Sequence, residues 1–248
     1  MIQENKLIYN MDNVRDKKPI TAEVYLTNYC NNKCGYCFYT RNVTPEQKKY
    51  MTFNSFVLYV YRLLSLGVKG IILTGGGEPT INPDFGKITD WLEKMGVPYG
   101  VNTNFNVLKN IRPVFLKVSL DGYDRESYRL ARGVDMYDRV IDNIRQYAEW
   151  KRKNDVSTNV GVQALIEKAG EAERFYNSVK SLDVQYINLR PLEIPSTGKV
   201  RNADDIIDEI VNLGAVDNRI SCSYKTEPST SRASSVKFAG QPSNFVLR

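Results

Sequence analysis

Apolar and polar residues alternate along the chain in a pattern that predicts strands and helices in turn. Residues 20–26 alternate and are rich in strand formers, and residues 69–74 form a short apolar run typical of a buried parallel strand. Helical spacing begins after Thr52, a residue type that caps helices, and stops at Gly67. Further strands are predicted at 98–102, 114–120, 156–166 and 184–189, and helices at 53–66, 83–95, 134–153 and 169–181.

These elements make six strand–helix alternations over about 170 residues, with no internal linker. Such alternation predicts a parallel sheet with crossover helices outside it. Six units are too few for a closed barrel of eight. We therefore predict an α/β fold, an open partial TIM-like barrel of six parallel strands and six outer helices, over residues 20–195. Residues 1–19 are predicted to be an N-terminal lead-in, and residues 196–248 a C-terminal extension, partly helical with a serine-rich tail.

The amino-acid composition is typical of a globular protein without membrane-spanning segments. The 248 residues are 42% hydrophobic, enough for a sizeable core, and no stretch approaches the length of a membrane span. The N-terminus does not resemble a signal peptide, so we expect a cytoplasmic protein that does not contact membranes. The chain has no histidine, which removes the commonest general base and metal ligand. Its net charge of +6 is mild, and the basic residues are scattered, which is typical of a solvated surface.

Three of the four cysteines, Cys30, Cys34 and Cys37, lie within eight positions. On a helix they would form one stripe and could be core residues, but the intervening Asn, Lys and Gly residues are typical of a loop. A structural zinc site would need a fourth ligand close by, and the remaining cysteine, Cys222, is distant. Clustered thiolates without a secretory context favour a [4Fe–4S] cluster with one iron left open to a small molecule.

Polar residues and glycines follow the predicted strands at their carboxyl ends, where α/β proteins place their chemistry. We expect them to gather on one rim of the sheet. They comprise the cysteine loop, Gly75 to Gly77, Asn102 to Asn104, Ser119 to Asp121, Gln163, and Asn188 to Arg190.

Two groups near the fourth strand have competing interpretations. Asp121 and Gly122 fit a simple strand-ending turn as well as a functional role. Four arginines beside them are expected to face solvent or pair with nearby acidic residues, although one could hold a substrate carboxylate or phosphate. These are Arg125, Arg129, Arg132 and Arg139.

The spacing Cys30-x3-Cys34-x2-Cys37, with an aromatic residue before the last cysteine and a Gly75-Gly76-Gly77-Glu78-Pro79 turn after the second strand, resembles the radical S-adenosylmethionine (SAM) superfamily. The resemblance implies that the three cysteines hold a [4Fe–4S] cluster whose fourth iron binds the amino and carboxylate groups of SAM. It also implies reductive cleavage of SAM to a 5′-deoxyadenosyl radical that takes a hydrogen atom from the substrate.

The same resemblance implies roles for further residues. The backbone of Gly75, Gly76 and Gly77 would approach the SAM amino group, in a turn shaped by Glu78 and Pro79. Tyr36 and the backbone near Phe38 would contact adenine. Ser119, with Asn104 as another candidate, would contact the ribose. Gln163 and the segment from Asn188 to Arg190 would complete the adenosine pocket.

The run from Val118 to Gly122, followed by Tyr128 and Arg132-Gly133, resembles peptide- and metabolite-modifying members with a SPASM-type extension. Such extensions bind auxiliary clusters through several further cysteines, but only Cys222 follows the barrel here. The extension is therefore either vestigial or truncated, or Cys222 is an ordinary residue, which we favour. Residues 226–248 are predicted to be a loosely ordered tail or a substrate-covering segment.

These features leave three functions open. The leading one is hydrogen abstraction from a peptide or a small polar metabolite, with a protein electron donor such as flavodoxin or ferredoxin. The second keeps the radical chemistry but takes a nucleoside or nucleic acid, as the basic charge permits. The third is a non-catalytic interaction module that binds an iron–sulfur cluster or zinc.

Overall fold

The computed structural model describes residues 19–193 and 203–222, which form one seven-stranded sheet with strand order β1 to β7. All six neighbouring pairs are parallel. The strands are β1 Thr21–Tyr25, β2 Gly70–Thr74, β3 Tyr99–Thr103, β4 Phe115–Ser119, β5 Asn159–Ile166, β6 Tyr186–Pro191 and β7 Ile220–Cys222. The helices are α1 Phe38–Asn42, α2 Phe53–Ser65, α3 Phe85–Lys94, α4 Arg125–Arg132, α5 Tyr137–Lys153, α6 Glu171–Val179 and α7 Ala203–Val216.

The open parallel α/β sheet confirms the predicted fold class, and it contains elements for which no bounds were predicted, among them the five-residue α1. Helix α7 and strand β7 continue the sheet beyond the six predicted strands, and β7 is only three residues long, too short to show a period of its own. Helix α4 was also missed, because its sequence is mostly charged and polar and carries no apolar stripe. Its capping signals were present: the Asp124 carboxylate accepts from the backbone amide of Ser127, and Gly133 ends the helix in the left-handed conformation.

The two faces of the sheet have different chemistry. One face carries a fully buried apolar row, Leu73, Val101, Leu116 and Val160, within the same core cluster as apolar residues of the helices. Successive side chains in a strand point to opposite faces, so the other face carries the residues in between. There the ring of Phe115 covers Gly100 and the ring of Tyr186 covers Gly161, at the amino ends of the strands.

Nearer the carboxyl ends of the strands, that second face carries a polar row. Ser119 pairs in register with Gln163, Gln163 with Asn188, and Asn188 with Ser221. Cross-strand partners share a face, so four polar side chains lie side by side across β4 to β7. Among the helices that the structure describes, none is both long and apolar enough to cross a membrane.

Candidate active site

The cysteine loop joins β1 to α1 and is not helical. Helix α1 begins at Phe38, directly after Cys37 as its N-cap, so the interpretation of the three cysteines as a helical core stripe is wrong. Cys34 is buried, Cys37 is half-buried and Cys30 is exposed, and all three are free thiols. The amide of Asn32 lies 3.4 Å from the Cys30 Sγ, and the amide of Cys37 donates to the Cys34 carbonyl at 3.2 Å.

The donor set fits a cluster better than a single ion. No three Cys, Asp or Glu side chains within residues 19–193 and 203–222 converge on a position suited to one metal ion. A cubane cluster has no such requirement, because each of its thiolate ligands binds a different iron. Although Cys30 is exposed as a residue, desolvation around its sulfur raises the pKa of the thiol to about 11. A metal must therefore displace a firmly held proton at Cys30.

The glycine run after β2 packs directly against the strand-to-cysteine segment. The amide of Gly77 donates to the Thr27 carbonyl at 2.9 Å, and the amide of Glu78 donates to the Tyr29 carbonyl at 2.8 Å. A Cβ on Gly77 would lie 1.8 Å from the Tyr29 carbonyl oxygen, and one on Gly76 would lie 2.6 Å from the Asn28 Oδ1. The glycines are thus required by the chain's own packing, a reason for them that sequence reasoning did not find.

The Glu78 side chain points into the protein, where it is 3% exposed. Its carboxylate accepts four hydrogen bonds: from the amide and hydroxyl of Thr80, from the hydroxyl of Thr103, and from the amide of Asn104 at 2.7 Å. Burial raises the pKa of Glu78, although these donors oppose the shift. Pro79 follows as the first residue of a 3-10 turn, Pro79–Ile81. Glu78 therefore ties the end of β2 to the end of β3.

The loop after β3 contacts the cysteine loop through two asparagines. The Asn104 Nδ2 donates to the Asn31 Oδ1 at 2.6 Å and lies 3.9 Å from the Cys30 Sγ. The Asn106 Nδ2 donates to the Asn32 Oδ1 at 2.6 Å. The structure thus places Asn104 beside Cys30, while its predicted contact with the ribose stays a prediction.

A buried ion pair lies on the other side of the cysteine loop. The Arg132 Nη2 is 3.2 Å from the Asp121 Oδ2, and both side chains are less than a tenth exposed. The Arg132 Nη1 is 3.4 Å from the Cys34 Sγ, and its Nη2 also donates to the Ser119 carbonyl. Burial lowers the pKa of the guanidinium, but Asp121, Tyr36 and Cys34 together outweigh burial and hold that pKa well above its usual range. Arginine stays charged here.

Asp121 is more than a turn residue. Its carboxylate also accepts from the Tyr36 hydroxyl and, at 2.8 Å, from the Leu165 amide, and its backbone has a φ of 45°. Burial and then the negative charge of Asp121 raise the pKa of the Tyr36 hydroxyl well above its usual value. Tyr36, which the sequence assigned to adenine, is thereby anchored at its hydroxyl to the Asp121–Arg132 pair.

The other three arginines, Arg125, Arg129 and Arg139, are exposed, as predicted, whereas Arg132 is buried. Arg125 forms exposed ion pairs with Asp135 and Asp138, and Arg139 donates to the Asn106 carbonyl at 3.0 Å. Burial of a charged side chain depends on partners distant in sequence, here Cys34, 98 positions away. A buried charge requires a partner, and this rule identifies Arg132 as a residue of interest. The rule can be applied only after the burial of Arg132 is known, so the sequence alone does not single out this arginine.

The remaining predicted residues lie around the carboxyl ends of the strands. Ser119, Gln163 and Asn188 share the polar row, and Arg190 lies two register pairs further, where it forms a 2.8 Å ion pair with Glu193. Phe38 is 65% exposed at the start of α1, and its ring contacts Tyr39. Cys222 lies on β7, at the opposite edge of the strand order from β1, and packs against the core.

A sequence profile described as "Radical SAM superfamily" matches residues 24–165. This range includes the cysteine loop, the glycine turn and the buried Asp121–Arg132 ion pair. This chain belongs to the radical SAM superfamily. Members use a [4Fe–4S] cluster and SAM, so the chain is an enzyme of that class, as the sequence predicted.

Curated relatives match over part of their length. A molybdenum cofactor biosynthesis protein, moc-5, of Caenorhabditis elegans is 32% identical over 180 residues, which are 68% of this chain and 29% of the relative. A probable GTP 3′,8-cyclase of Pyrococcus horikoshii is 31% identical over 137 residues, 52% of this chain and 43% of the relative. The chain therefore spans less than half the length of these two relatives.

Solved radical SAM structures share the fold. Streptococcus suis SuiB bound to its precursor peptide SuiA has a TM-score of 0.67 at 16% identity, covering 84% of this chain and 49% of that one. The enzyme anSMEcpe with bound AdoMet and a peptide has a TM-score of 0.60 at 19% identity, covering 82% and 63%. The partial-barrel architecture is thereby confirmed by comparison as well as by strand order.

Proposed function

We propose that this enzyme cleaves SAM reductively at a [4Fe–4S] cluster held by Cys30, Cys34 and Cys37 and abstracts hydrogen from a peptide or a small polar metabolite. The observation that carries the proposal is the arrangement around the cysteine loop. Three thiols of mixed exposure project from one loop, and the glycine turn, the β3 loop and α4 hold that loop by direct hydrogen bonds. When bound, the reduced cluster supplies the electron that converts SAM into methionine and the 5′-deoxyadenosyl radical.

The residues of the chain have three tasks in this proposal. Gly75 to Gly77 present backbone to the SAM amino group, which side chains would keep at a distance. Tyr36, fixed at its hydroxyl, and the backbone near Phe38 lie next to Cys37 for contact with adenine. Ser119, Gln163 and Asn188 form a polar row on one face, suited to a ribose or another hydroxylated ligand.

The proposal is tested by anaerobic reconstitution with iron and sulfide, followed by SAM and dithionite. We expect about four iron and four sulfide per chain and formation of 5′-deoxyadenosine. Cys34→Ala should lose both, whereas Cys222→Ala, a matched cysteine variant far from the loop, should keep both. One zinc per chain without sulfide, or 5′-deoxyadenosine at the Cys34→Ala level, would exclude the proposal and favour the interaction module.

A purine nucleotide substrate is a second candidate, supported by the curated relatives described as GTP 3′,8-cyclases and by the net charge of +6. The test compares 5′-deoxyadenosine formation with GTP, with ATP, with cell metabolites from which nucleotides have been removed, and with a peptide pool. Stimulation by GTP alone supports the nucleotide, and stimulation by the metabolite or peptide pool alone supports the leading proposal. Mass spectrometry then identifies the altered compound. Steeply salt-dependent binding of RNA or DNA would support a nucleic-acid substrate instead.

A further inference from the structure

Arg132 is the one guanidinium among the described residues that is buried and contacts a proposed cluster ligand. Its side chain is 9% exposed, and its Nη1 lies 3.4 Å from the Cys34 Sγ. None of the roles assigned above to the SAM pocket uses it. Because a guanidinium keeps its proton, this contact brings a permanent positive charge to a sulfur that would bind iron.

The counter-ion of Arg132 is shared with other donors. Asp121 pairs with Arg132 at 3.2 Å, but the same carboxylate accepts from the Tyr36 hydroxyl and from the Leu165 amide. Its negative charge is therefore distributed over three donors. The Nη1 group of Arg132 is directed at Cys34, while Nη2 is used by Asp121 and the Ser119 carbonyl.

The backbone fixes this arrangement from α4. The amide of Lys33, one position before Cys34, donates to the Arg132 carbonyl at 2.9 Å. The next residue, Gly133, has a φ of 69°, and a Cβ there would lie 2.5 Å from the Lys33 carbonyl oxygen. The C-terminus of α4 is thus in direct contact with the cysteine loop, and the Arg132 side chain starts from a fixed point.

We propose that Arg132 is a positioning residue that orients Cys34 and makes the bound cluster easier to reduce. Adding an electron makes the cluster more negative, and a nearby fixed positive charge stabilises that state. Hydrogen bonds to cluster sulfurs and net local charge are among the factors that set the potentials of such clusters. The inference rests on the proposed function, since it needs a cluster on Cys34.

The test is a reduction-potential measurement on the anaerobically reconstituted enzyme, with dithionite as the reductant and electron paramagnetic resonance as the readout. Arg132→Met keeps most of the side-chain volume and removes the charge. We expect its reduction equilibrium constant to fall at least tenfold, a shift of 59 mV to more negative potential for one electron. Arg132→Lys, which keeps the charge, should recover at least half of the shift.

Asp121→Asn provides a control of opposite sign. It removes the counter-ion and keeps the shape, so the potential should move to more positive values. General damage to the loop would not move the two variants in opposite directions. If Arg132→Met does not fold, Asp121→Asn still decides, because an unchanged or more negative potential in that variant overturns the inference.

Iron and sulfide content separates this inference from the function on which it rests. A wild-type chain that assembles no cluster overturns the proposed function and this inference together. A wild-type chain with a cluster, and an Arg132→Met potential equal to it or more positive, overturns the role of Arg132 alone.

Discussion

Gly77→Ala tests whether the glycine turn holds the cysteine loop in place. The new Cβ would lie 1.8 Å from the Tyr29 carbonyl oxygen and 2.5 Å from its carbonyl carbon. A carbon–oxygen contact is acceptable from about 3.3 Å, so the two backbones must separate by about 1.5 Å. The obstacle is main chain, which no change of rotamer can move aside. The Thr27–Tyr29 segment, which leads into Cys30, must shift.

The cost can be worked from the contacts that the shift would break. Overpacking costs about 1–3 kcal/mol. The hydrogen bonds from Gly77 to Thr27 and from Glu78 to Tyr29 contribute about 0.5–1.5 kcal/mol each. The lower entropy of the unfolded alanine chain returns about 0.4–1 kcal/mol. The expected loss in the free energy of unfolding is therefore about 1–6 kcal/mol, a large part of the stability of an ordinary domain.

The assay compares urea unfolding, followed by circular dichroism, with iron content after reconstitution. Gly86→Ala is the matched control, because Gly86 lies in α3 and a Cβ there would meet nothing within 4 Å. It should unfold at the same or a higher urea concentration, since alanine is the better helix former by up to about 1 kcal/mol. Unchanged stability and iron content in Gly77→Ala would refute the reasoning.

Two further predictions concern the supports of the site. Asn82→Ala should lower the free energy of unfolding by about 2–4 kcal/mol, because the buried Asn82 side-chain amide donates to the Leu26 and Met51 carbonyls, at 2.7 and 2.9 Å. The carboxylate of Asn82→Asp cannot donate these bonds, so this variant should be at least as unstable as Asn82→Ala in the same urea titration. Asp124→Ala should cost about 0.5–2 kcal/mol as a lost N-cap of α4. Hydrogen bonds from Ser127 lower the pKa of Asp124, so the ionised form stabilises the fold. The gap between wild type and Asp124→Ala in urea titrations should be full above about pH 4 and shrink as the pH falls below it; a gap that widens in acid would contradict the cap.

Strand β2 was predictable because a parallel strand buried on both faces leaves a continuous apolar run, and β1 was predictable from its alternating residues. Four of the predicted helices likewise had enough apolar residues on one face to show their period. Helix α4 had no such stripe, because its buried residues are Tyr128 and Arg132. Strand β7 is three residues long, and its place in the sheet is set by pairing with β6, which is tertiary information.

The parts of the site that depend on the spacing of residues along the chain were predictable. The parts that depend on the packing of distant elements were not. Three cysteines within eight positions indicate a cluster loop whatever the fold around them. The contact of Arg132 with Cys34 depends instead on the packing of helix α4 against the cysteine loop, and the two residues are 98 positions apart in sequence. The two hydrogen bonds that Glu78 accepts from Thr103 and Asn104 likewise depend on β2 and β3 ending side by side.

The contacts on the cysteine loop come from three separate elements, and together they leave little of it unsupported. The glycine turn holds the segment before Cys30, Asn104 and Asn106 hold Asn31 and Asn32, and α4 holds Lys33 and Cys34. All of these bonds come from elements outside the loop, so the position of Cys34 depends on a residue 98 positions away in sequence.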